Sequence, residues 1–213
     1  MTTSGISDQT SRDSIKFGEW LFRWRTAIPL PFALTLLLLR VGEAPFSWTL
    51  VGAGAVLTGG GEAIRLAAVH HIGVISRTRS TRLGPLITSG PFAIVRNPLY
   101  LGNVLLWTGF AVTARLVWAA PVVAALLLLE YHFIVGWEEA LLEARYGASY
   151  REYAGTVPRW LPSLRNATAP HPARERAAYS WRETFFSERG TLIAIAAGYV
   201  LLWLKAALSA ARF

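Results

Sequence analysis

Residues 97–114 read NPLYLGNVLLWTGFAVTA and contain no Asp, Glu, Lys or Arg in eighteen positions. A second uncharged run of the same length, APFSWTLVGAGAVLTGGG, covers residues 44–61. Both approach the roughly 20 apolar residues that an α-helix needs to cross a bilayer. Of the 213 residues, 53% are hydrophobic and 16% are charged, whereas soluble domains carry about 25% charged residues. The sequence therefore predicts an all-α, polytopic integral membrane protein.

Five apolar segments follow one another along the chain, at residues 27–41, 45–71, 99–114, 117–135 and 191–208. Only Arg115 and Leu116 separate the third segment from the fourth, which indicates a tight helical hairpin. In the second segment, Glu62 and Arg65 are three residues apart and share one helix face. The polar N-terminal residues 1–16 do not have the pattern of a cleavable signal peptide. We expect about five transmembrane helices.

The basic residues are concentrated in three connecting segments. Residues 1–26, 72–98 and 136–189 hold four, four and eight of the 21 Lys and Arg. If the N-terminus is cytoplasmic, five spans place all three segments on the cytoplasmic side of the inner or plasma membrane, as the positive-inside rule requires. Attraction to anionic lipid also explains such a face. We expect no nucleic-acid partner, because these residues adjoin apolar segments rather than forming a soluble basic domain.

The first polar motif is TSGPFAIVRNPLYLG at residues 88–102. Gly90–Pro91 is typical of a turn, and Asn97–Pro98 is typical of a helix cap followed by the first helical residue. The free amides of a helix N-terminus favour an anionic or carboxylate-bearing ligand. A well-capped transmembrane helix would have the same pattern, so the motif alone leaves both interpretations open.

The second polar motif is EEALLEARYGASYREY at residues 138–153, followed by VPRWLP at residues 157–162. Adjacent carboxylates at the end of a span are costly to bury, so Glu138 or Glu139 should face water or a cation. An interfacial amphipathic helix with aromatic anchors also explains much of this motif. We expect no metal site, because there is no HExxH or Cys cluster, and His70 and His71 point about 100° apart on a helix.

Taken together, the motifs resemble a known superfamily. GPFxxVRNPxYxG, followed by EExxL, YGxxYxxY and VPRxxP, is similar to the isoprenylcysteine carboxyl methyltransferases and phospholipid methyltransferases, which are integral membrane enzymes. The resemblance covers about residues 63–162 and implies S-adenosylmethionine as cofactor and a lipid-like or prenylated acceptor from the bilayer. It implies a membrane methyltransferase core at 27–162, between a cytoplasmic segment at 1–26 and a linker with an additional transmembrane helix at 163–213.

The same resemblance implies a set of site residues. The implied cofactor-binding residues are Gly90, Pro91, Arg96, Asn97, Pro98, Tyr100, Leu101, Glu138, Glu139, Tyr150 and Tyr153. Catalytic roles are implied for Arg65, Glu139 and Arg159, with the two arginines as candidates to hold an acceptor carboxylate. A carboxylate is ionised near neutral pH and needs no general base. An amine acceptor must lose a proton, for which Glu138 or Glu139 is the candidate base.

The chain departs from the eukaryotic isoprenylcysteine enzymes at Asn97, where they carry His, and in its extension after Pro162. Isoprenylcysteine-type carboxyl O-methylation is the preferred hypothesis. Phospholipid (ethanolamine) N-methylation and other lipid O-methylation are alternatives. Because membrane sterol reductases share a similar C-terminal region, an NADPH-dependent enzyme also stays open, as does a membrane scaffold without catalysis.

Overall fold

The computed structural model describes residues 3–73, 86–166 and 180–210, and every regular element in these ranges is helical. The helices, in chain order, are α1 (Thr3–Trp24), α2 (Pro29–Leu38), α3 (Trp48–Ile72), α4 (Pro91–Ile94), α5 (Pro98–Thr113), α6 (Ala119–Tyr146), α7 (Ala148–Thr156) and α8 (Trp181–Ala210), with a 3-10 turn at Leu164–Asn166. The all-α prediction is confirmed. Residues 74–85 and 167–179, which belong to the second and third basic segments, lie outside the described residues.

Among the described residues, two helices, α6 and α8, are long and apolar enough to cross a membrane. Residues 13–24 of α1 and α2 qualify as a third span only together, and they are bent by 59° at the break between them. The expected count of five spans is therefore not confirmed. At a rise of 1.5 Å per residue, the 16 residues of α5 reach about 24 Å, less than the roughly 30 Å of a hydrocarbon core. The glycines and charged pair of α3 lower its mean hydropathy.

Helices α3 and α5 pack backbone against backbone through two pairs of glycines. A Cβ atom on Gly54 would lie 2.7 Å from the carbonyl oxygen of Gly109, and one on Gly61 would lie 2.5 Å from that of Gly102. The pairs are seven residues apart on each helix and run in opposite directions, so the helices are antiparallel. Small residues permit this approach in membrane proteins. This close packing holds the start of α5, which belongs to the first motif, against α3.

Helix α6 is longer than the fourth apolar segment. It passes the expected end at Val135 and continues to Tyr146, because the residues after Glu138 include the good helix formers Ala, Leu, Glu and Arg. Gly147 ends the helix with a φ of +52°, and α7 begins at the next residue. Glu138 and Glu139 therefore lie inside a rigid helix.

Helix α8 packs on α2, α3 and α5 through polar contacts. Lys205 Nζ donates hydrogen bonds to the carbonyl oxygens of Leu36 at 2.9 Å and Leu39 at 2.7 Å, at the C-terminal end of α2. Tyr199 donates to Thr58 Oγ1 on α3 at 3.1 Å. The Lys205 bonds pair carbonyl oxygens at the end of α2, where no further turn of the helix supplies donors. The extension beyond residue 162 thus contacts the helices that precede the second motif.

Candidate active site

The turn before α4 depends on Gly90. Its φ is +61°, a conformation that glycine adopts without steric cost. A Cβ atom there would also collide with the imidazole of His71 at the end of α3. Pro91 then begins α4, where a missing amide proton costs nothing. The structure therefore gives Gly90 and Pro91 a local structural role.

The two motifs contact each other directly. The backbone N–H of Arg96 donates to the carbonyl oxygen of Pro158 at 2.9 Å, and that of Ser163 donates to Ile94 at 2.9 Å. Asn97 occupies the cap position before Pro98, but its side chain makes no cap hydrogen bond. Instead, Asn97 Nδ2 donates to the carbonyl oxygen of Arg159 at 3.2 Å. These bonds hold the VPRWLP segment against the start of α5.

Glu139 lies between two arginines, one from each motif. Its Oε1 is 3.1 Å from Arg96 Nη1 and accepts a hydrogen bond from Arg159 Nε at 3.2 Å. Its Oε2 accepts from Arg159 Nη2, which makes the Arg159 contact bidentate. Such paired contacts fix orientation as well as charge. Both oxygens of Glu139 are thus engaged by the protein.

Two tyrosines of α7 complete this region. Burial and the nearby Glu139 carboxylate raise the pKa of Tyr150 to about 12, against the opposing effect of Arg96. Burial also raises the pKa of Tyr153, whose hydroxyl donates to the carbonyl oxygen of Phe92 at 2.8 Å. Both phenols therefore stay protonated near neutral pH and act as hydrogen-bond donors.

Glu138 makes different contacts from Glu139, because adjacent residues on a helix point about 100° apart. Its Oε1 accepts a hydrogen bond from Tyr100 at 3.0 Å. The Tyr100 ring in turn packs on Tyr131, with the ring centroids 4.7 Å apart. Glu138, Tyr100 and Tyr131 all line one cavity, which makes Glu138 the carboxylate of the adjacent pair that faces open space.

Arg65 belongs to a separate buried network. Its Nε donates to Glu62 Oε2 at 3.2 Å, its Nη1 to Asn103 Oδ1 at 2.5 Å, and its Nη2 to Glu188 Oε2 at 2.5 Å. Nη2 also lies 3.5 Å from Thr191 Oγ1. The contact with Glu62 confirms that the two residues share a helix face. Two carboxylates already neutralise Arg65.

A cavity of about 1090 Å³ joins these groups. One end, which we call the polar end, is lined by Arg25, Arg96, Asn97, Tyr100, Glu138 and Tyr153. The other, which we call the apolar arm, lies between α2, α5 and α8 and is lined by Leu36, Leu37, Leu106, Phe110, Ile195 and Leu202. Single ligands commonly occupy about 300–1,000 Å³. The volume of this cavity lies just above that range.

The residues expected to form the site divide into two groups. Seven of them line the cavity: Arg65, Arg96, Asn97, Pro98, Tyr100, Glu138 and Tyr153. The other six surround it without being among its lining residues: Gly90, Pro91, Leu101, Glu139, Tyr150 and Arg159. Their roles in binding and catalysis stay predictions.

Sequence reasoning missed four side chains of the site, namely Arg25, Asn103, Tyr131 and Glu188. Glu188 had a usable signal, because an arginine inside an apolar segment needs an acidic partner and Glu188 precedes the fifth apolar segment. Tyr131 lies on the same uninterrupted helix as Glu138, seven residues earlier, and so on nearly the same face. For Arg25, no sequence pattern pointed to the cavity.

The described helices thus enclose a cavity with charged side chains at one end and apolar side chains at the other. Residues 49–149 match the model of the family described as phospholipid methyltransferase. The match confirms the resemblance to the isoprenylcysteine and phospholipid methyltransferase superfamily.

Two curated relatives are similar over 141 residues, or 66% of this chain. One is the nickel-cobalt-cadmium resistance protein NccN of Alcaligenes xylosoxydans xylosoxydans, at 25% identity over 63% of its length. The other is the cobalt-zinc-cadmium resistance protein CzcN of Cupriavidus metallidurans, at 28% identity over 62% of its length. The chain thus spans less than two thirds of either relative. No solved structure matches it.

The names of these relatives concern metal resistance, and acidic and histidine side chains are common metal ligands. Within residues 3–73, 86–166 and 180–210, no group of three or more His, Cys, Asp or Glu side chains could hold a metal ion. His70 stacks on Trp181 with the ring centroids 4.2 Å apart, and His71 Nδ1 lies 2.8 Å from the carbonyl oxygen of Ala67. Both histidines thus have packing or hydrogen-bonding partners at the end of α3.

Proposed function

We propose that the protein is an integral membrane methyltransferase that uses S-adenosylmethionine and acts on a lipid-like acceptor. The observation that carries this proposal is the continuous cavity, which joins the polar end to the apolar arm. A charged, water-soluble cofactor and a hydrocarbon-bearing acceptor need these two environments next to each other. The family match over residues 49–149 supports the same class of reaction.

The polar end suits the cofactor. Arg96 Nε is buried and has no hydrogen-bond partner among the described residues, so it can donate to a carboxylate or a hydroxyl of the cofactor. Asn97 and Tyr153 line the same end. When bound, S-adenosylmethionine supplies a methyl group on a positively charged sulfur. Glu139 acts as a positioning residue in this proposal, because it holds Arg96 and Arg159 in place.

The chemistry of the acceptor can be inferred from the charged side chains at the cavity that other protein groups leave available to bind it. Arg65 and Arg159, the candidates for an acceptor carboxylate, are each engaged by a carboxylate of the protein. Glu138 faces the cavity and can accept a proton from an amine or hydroxyl. The engaged arginines and the available Glu138 carboxylate favour a phospholipid amine or a lipid hydroxyl as the acceptor over an isoprenylcysteine carboxylate. Arg96, Asn97 and Tyr153 would hold S-adenosylmethionine at the polar end, where it would supply the methyl group, and Glu138 would take the proton that an amine or hydroxyl acceptor loses.

Most of the catalytic advantage would come from alignment and from excluding water, as in other reactions between two bound partners. The helices α5 and α6 supply rigid positions for Asn97 and Glu138. We also propose the expected topology, in which residues 27–162 form the catalytic core and the N-terminus and polar end face the cytoplasm. The three basic segments support that orientation, because the positive-inside rule places them on the cytoplasmic side.

Binding of S-adenosylhomocysteine, the demethylated product, tests the proposal. We would titrate purified protein in detergent micelles by calorimetry, using the wild type, Arg96→Gln and Arg151→Gln. The control matches the test, because each variant removes the cation of an Arg–Glu pair, at Glu139 for Arg96 and at the exposed Glu143 for Arg151. Loss of a charge-assisted hydrogen bond costs about 1.5–3 kcal/mol.

We expect Arg96→Gln to weaken binding by about 10-fold or more and Arg151→Gln to leave it unchanged within about twofold. NADPH, titrated in parallel, should not bind. Binding of NADPH without S-adenosylhomocysteine would favour the reductase alternative. Binding of neither compound would favour the scaffold. Equal affinity of both variants for S-adenosylhomocysteine would refute the assignment of Arg96.

A further inference from the structure

Arg25 is a cavity residue with an unused hydrogen-bond donor. It lies between α1 and α2, directly after Trp24. Its guanidinium carbon is 3.6 Å from the centroid of the Phe22 ring, which fixes one face of the group. Its Nη1 is buried and has no hydrogen-bond partner among the described residues. The residue lies outside the segment that matches the family model.

Among the described residues, two other arginines line the cavity, and both are already in ion pairs. Arg65 contacts Glu62 and Glu188, and Arg96 contacts Glu139. Arg25 interacts electrostatically with Glu138 and Tyr100, which line the same end of the cavity. A buried donor without a partner costs free energy unless a ligand completes it. Arg25 is therefore the lining arginine best placed to receive an anion.

Arg25 also stands next to the hydrocarbon side of the cavity. Pro29 and Leu30, the first residues of α2, line the cavity just after it. Leu30 is 61% exposed and Leu201 on α8 is 45% exposed, yet both line the cavity. The cavity thus reaches the outer surface of the helices between α2 and α8, where lipid chains would lie. An anionic headgroup bound to Arg25 would therefore lie next to the hydrocarbon chain of the same lipid.

We propose that Arg25 binds the oxyanion, a phosphate or a carboxylate, of the lipid acceptor, whose hydrocarbon chain occupies the apolar arm. The planar guanidinium can bind either anion through two parallel hydrogen bonds. Glu138, on the same polar end, would then face a cationic or protonated group of the same headgroup. This inference rests on the proposed function in placing a lipid in the cavity, but anion binding at Arg25 does not require methyl transfer.

Two pairs of lipids that differ only in charge test the proposal. Lysophosphatidate is compared with monoacylglycerol of the same acyl chain, and N-acetyl-S-farnesylcysteine with its methyl ester. Binding to the full-length protein in uncharged detergent is measured by calorimetry without cofactor. The proteins are the wild type, Arg25→Gln, Arg25→Lys and the control Arg23→Gln, which removes an exposed arginine two residues away. S-adenosylhomocysteine is titrated into each protein as a separate arm.

We expect wild type and Arg23→Gln to bind at least one charged lipid about 10-fold more tightly than its neutral partner, which corresponds to about 1.4 kcal/mol. Arg25→Gln should abolish that preference, and Arg25→Lys should retain part of it, because the charge stays while the planar geometry is lost. The lipid pair that shows the preference identifies phosphate or carboxylate as the anion.

Several results would overturn this assignment. Equal binding of charged and neutral lipids by the wild type would do so even if Arg25→Gln fails to fold. An unchanged preference in a folded Arg25→Gln protein would do so as well. If Arg25→Gln weakens S-adenosylhomocysteine and leaves the lipid preference intact, Arg25 serves the cofactor instead. Failure of the proposed function is distinct, because it appears as absent S-adenosylhomocysteine binding in the wild type.

Discussion

Replacing Gly61 with alanine should separate α3 from α5, whereas the same change at Gly60 should not. A Cβ atom at position 61 would lie 2.5 Å from the carbonyl oxygen of Gly102 and 2.8 Å from the backbone nitrogen of Leu106. Both are backbone atoms, so no side chain can rotate away. A Cβ atom at Gly60 meets nothing within 4 Å. The two variants therefore differ only in what the added methyl group contacts.

The expected magnitude follows from these distances. Ordinary contact begins at 3.4 Å, so the helices must move apart by about 0.9 Å at Gly61. Overpacking of this kind costs about 1–3 kcal/mol. Alanine also favours the helix by about 0.8–1.0 kcal/mol relative to glycine at either position, and this contribution cancels in the comparison. Gly61→Ala should thus be about 1–3 kcal/mol less stable than Gly60→Ala.

Thermal unfolding of the purified variants in the same detergent measures the difference. A change of 1 kcal/mol shifts Tm by roughly 2–4 °C for a chain of this length, so Gly61→Ala should unfold several degrees below Gly60→Ala. S-adenosylhomocysteine binding should also weaken in Gly61→Ala, because α5 carries Asn97 at its start. Equal Tm values for the two variants would refute the close packing of α3 on α5.

Two further predictions concern buried polar contacts. Glu188→Gln removes the charge that contacts Arg65 at 2.5 Å. It should lower the free energy of unfolding, measured by denaturant titration, by about 1–3 kcal/mol. An unchanged denaturant midpoint would contradict the role of this pair in attaching α8. Tyr153→Phe leaves the carbonyl oxygen of Phe92 without its donor. This variant should lower the free energy of unfolding by about 1–2 kcal/mol in the same measurement. A variant as stable as the wild type would exclude that hydrogen bond.

The all-helical membrane class could be predicted from the sequence, because long uncharged runs are typical of helices buried in lipid. The second apolar segment also contains five glycines, and small residues let neighbouring helices approach closely. Of these, Gly54 and Gly61 do contact α5, while a Cβ atom on Gly52 would meet nothing within 4 Å. The partner glycines at 102 and 109 were missed, because pairing between helices is not encoded in the spacing along one of them.

The site was predictable in composition but not in orientation. The two motifs do meet, as the contacts of Glu139 with Arg96 and Arg159 show. Which of two adjacent glutamates faces the cavity depends on the exact rotation of α6, and that rotation is set by packing. Arg65 was expected to hold an acceptor, but Glu188, 123 residues away in the chain, contacts its guanidinium. The sequence indicates that Arg65 needs an acidic partner, but not which acidic residue the fold brings to it.

Transfer of a labelled methyl group shows whether the protein methylates a lipid. Purified wild-type protein in nanodiscs is incubated with S-adenosylmethionine labelled in its methyl group, and with phosphatidylethanolamine or N-acetyl-S-farnesylcysteine as acceptor. We expect label in the lipid fraction with at least one acceptor, loss of most of that label in Arg96→Gln, and retention of it in Arg151→Gln. Lipid that stays unlabelled with both acceptors and with a total bacterial lipid extract, while the protein is folded, would contradict it.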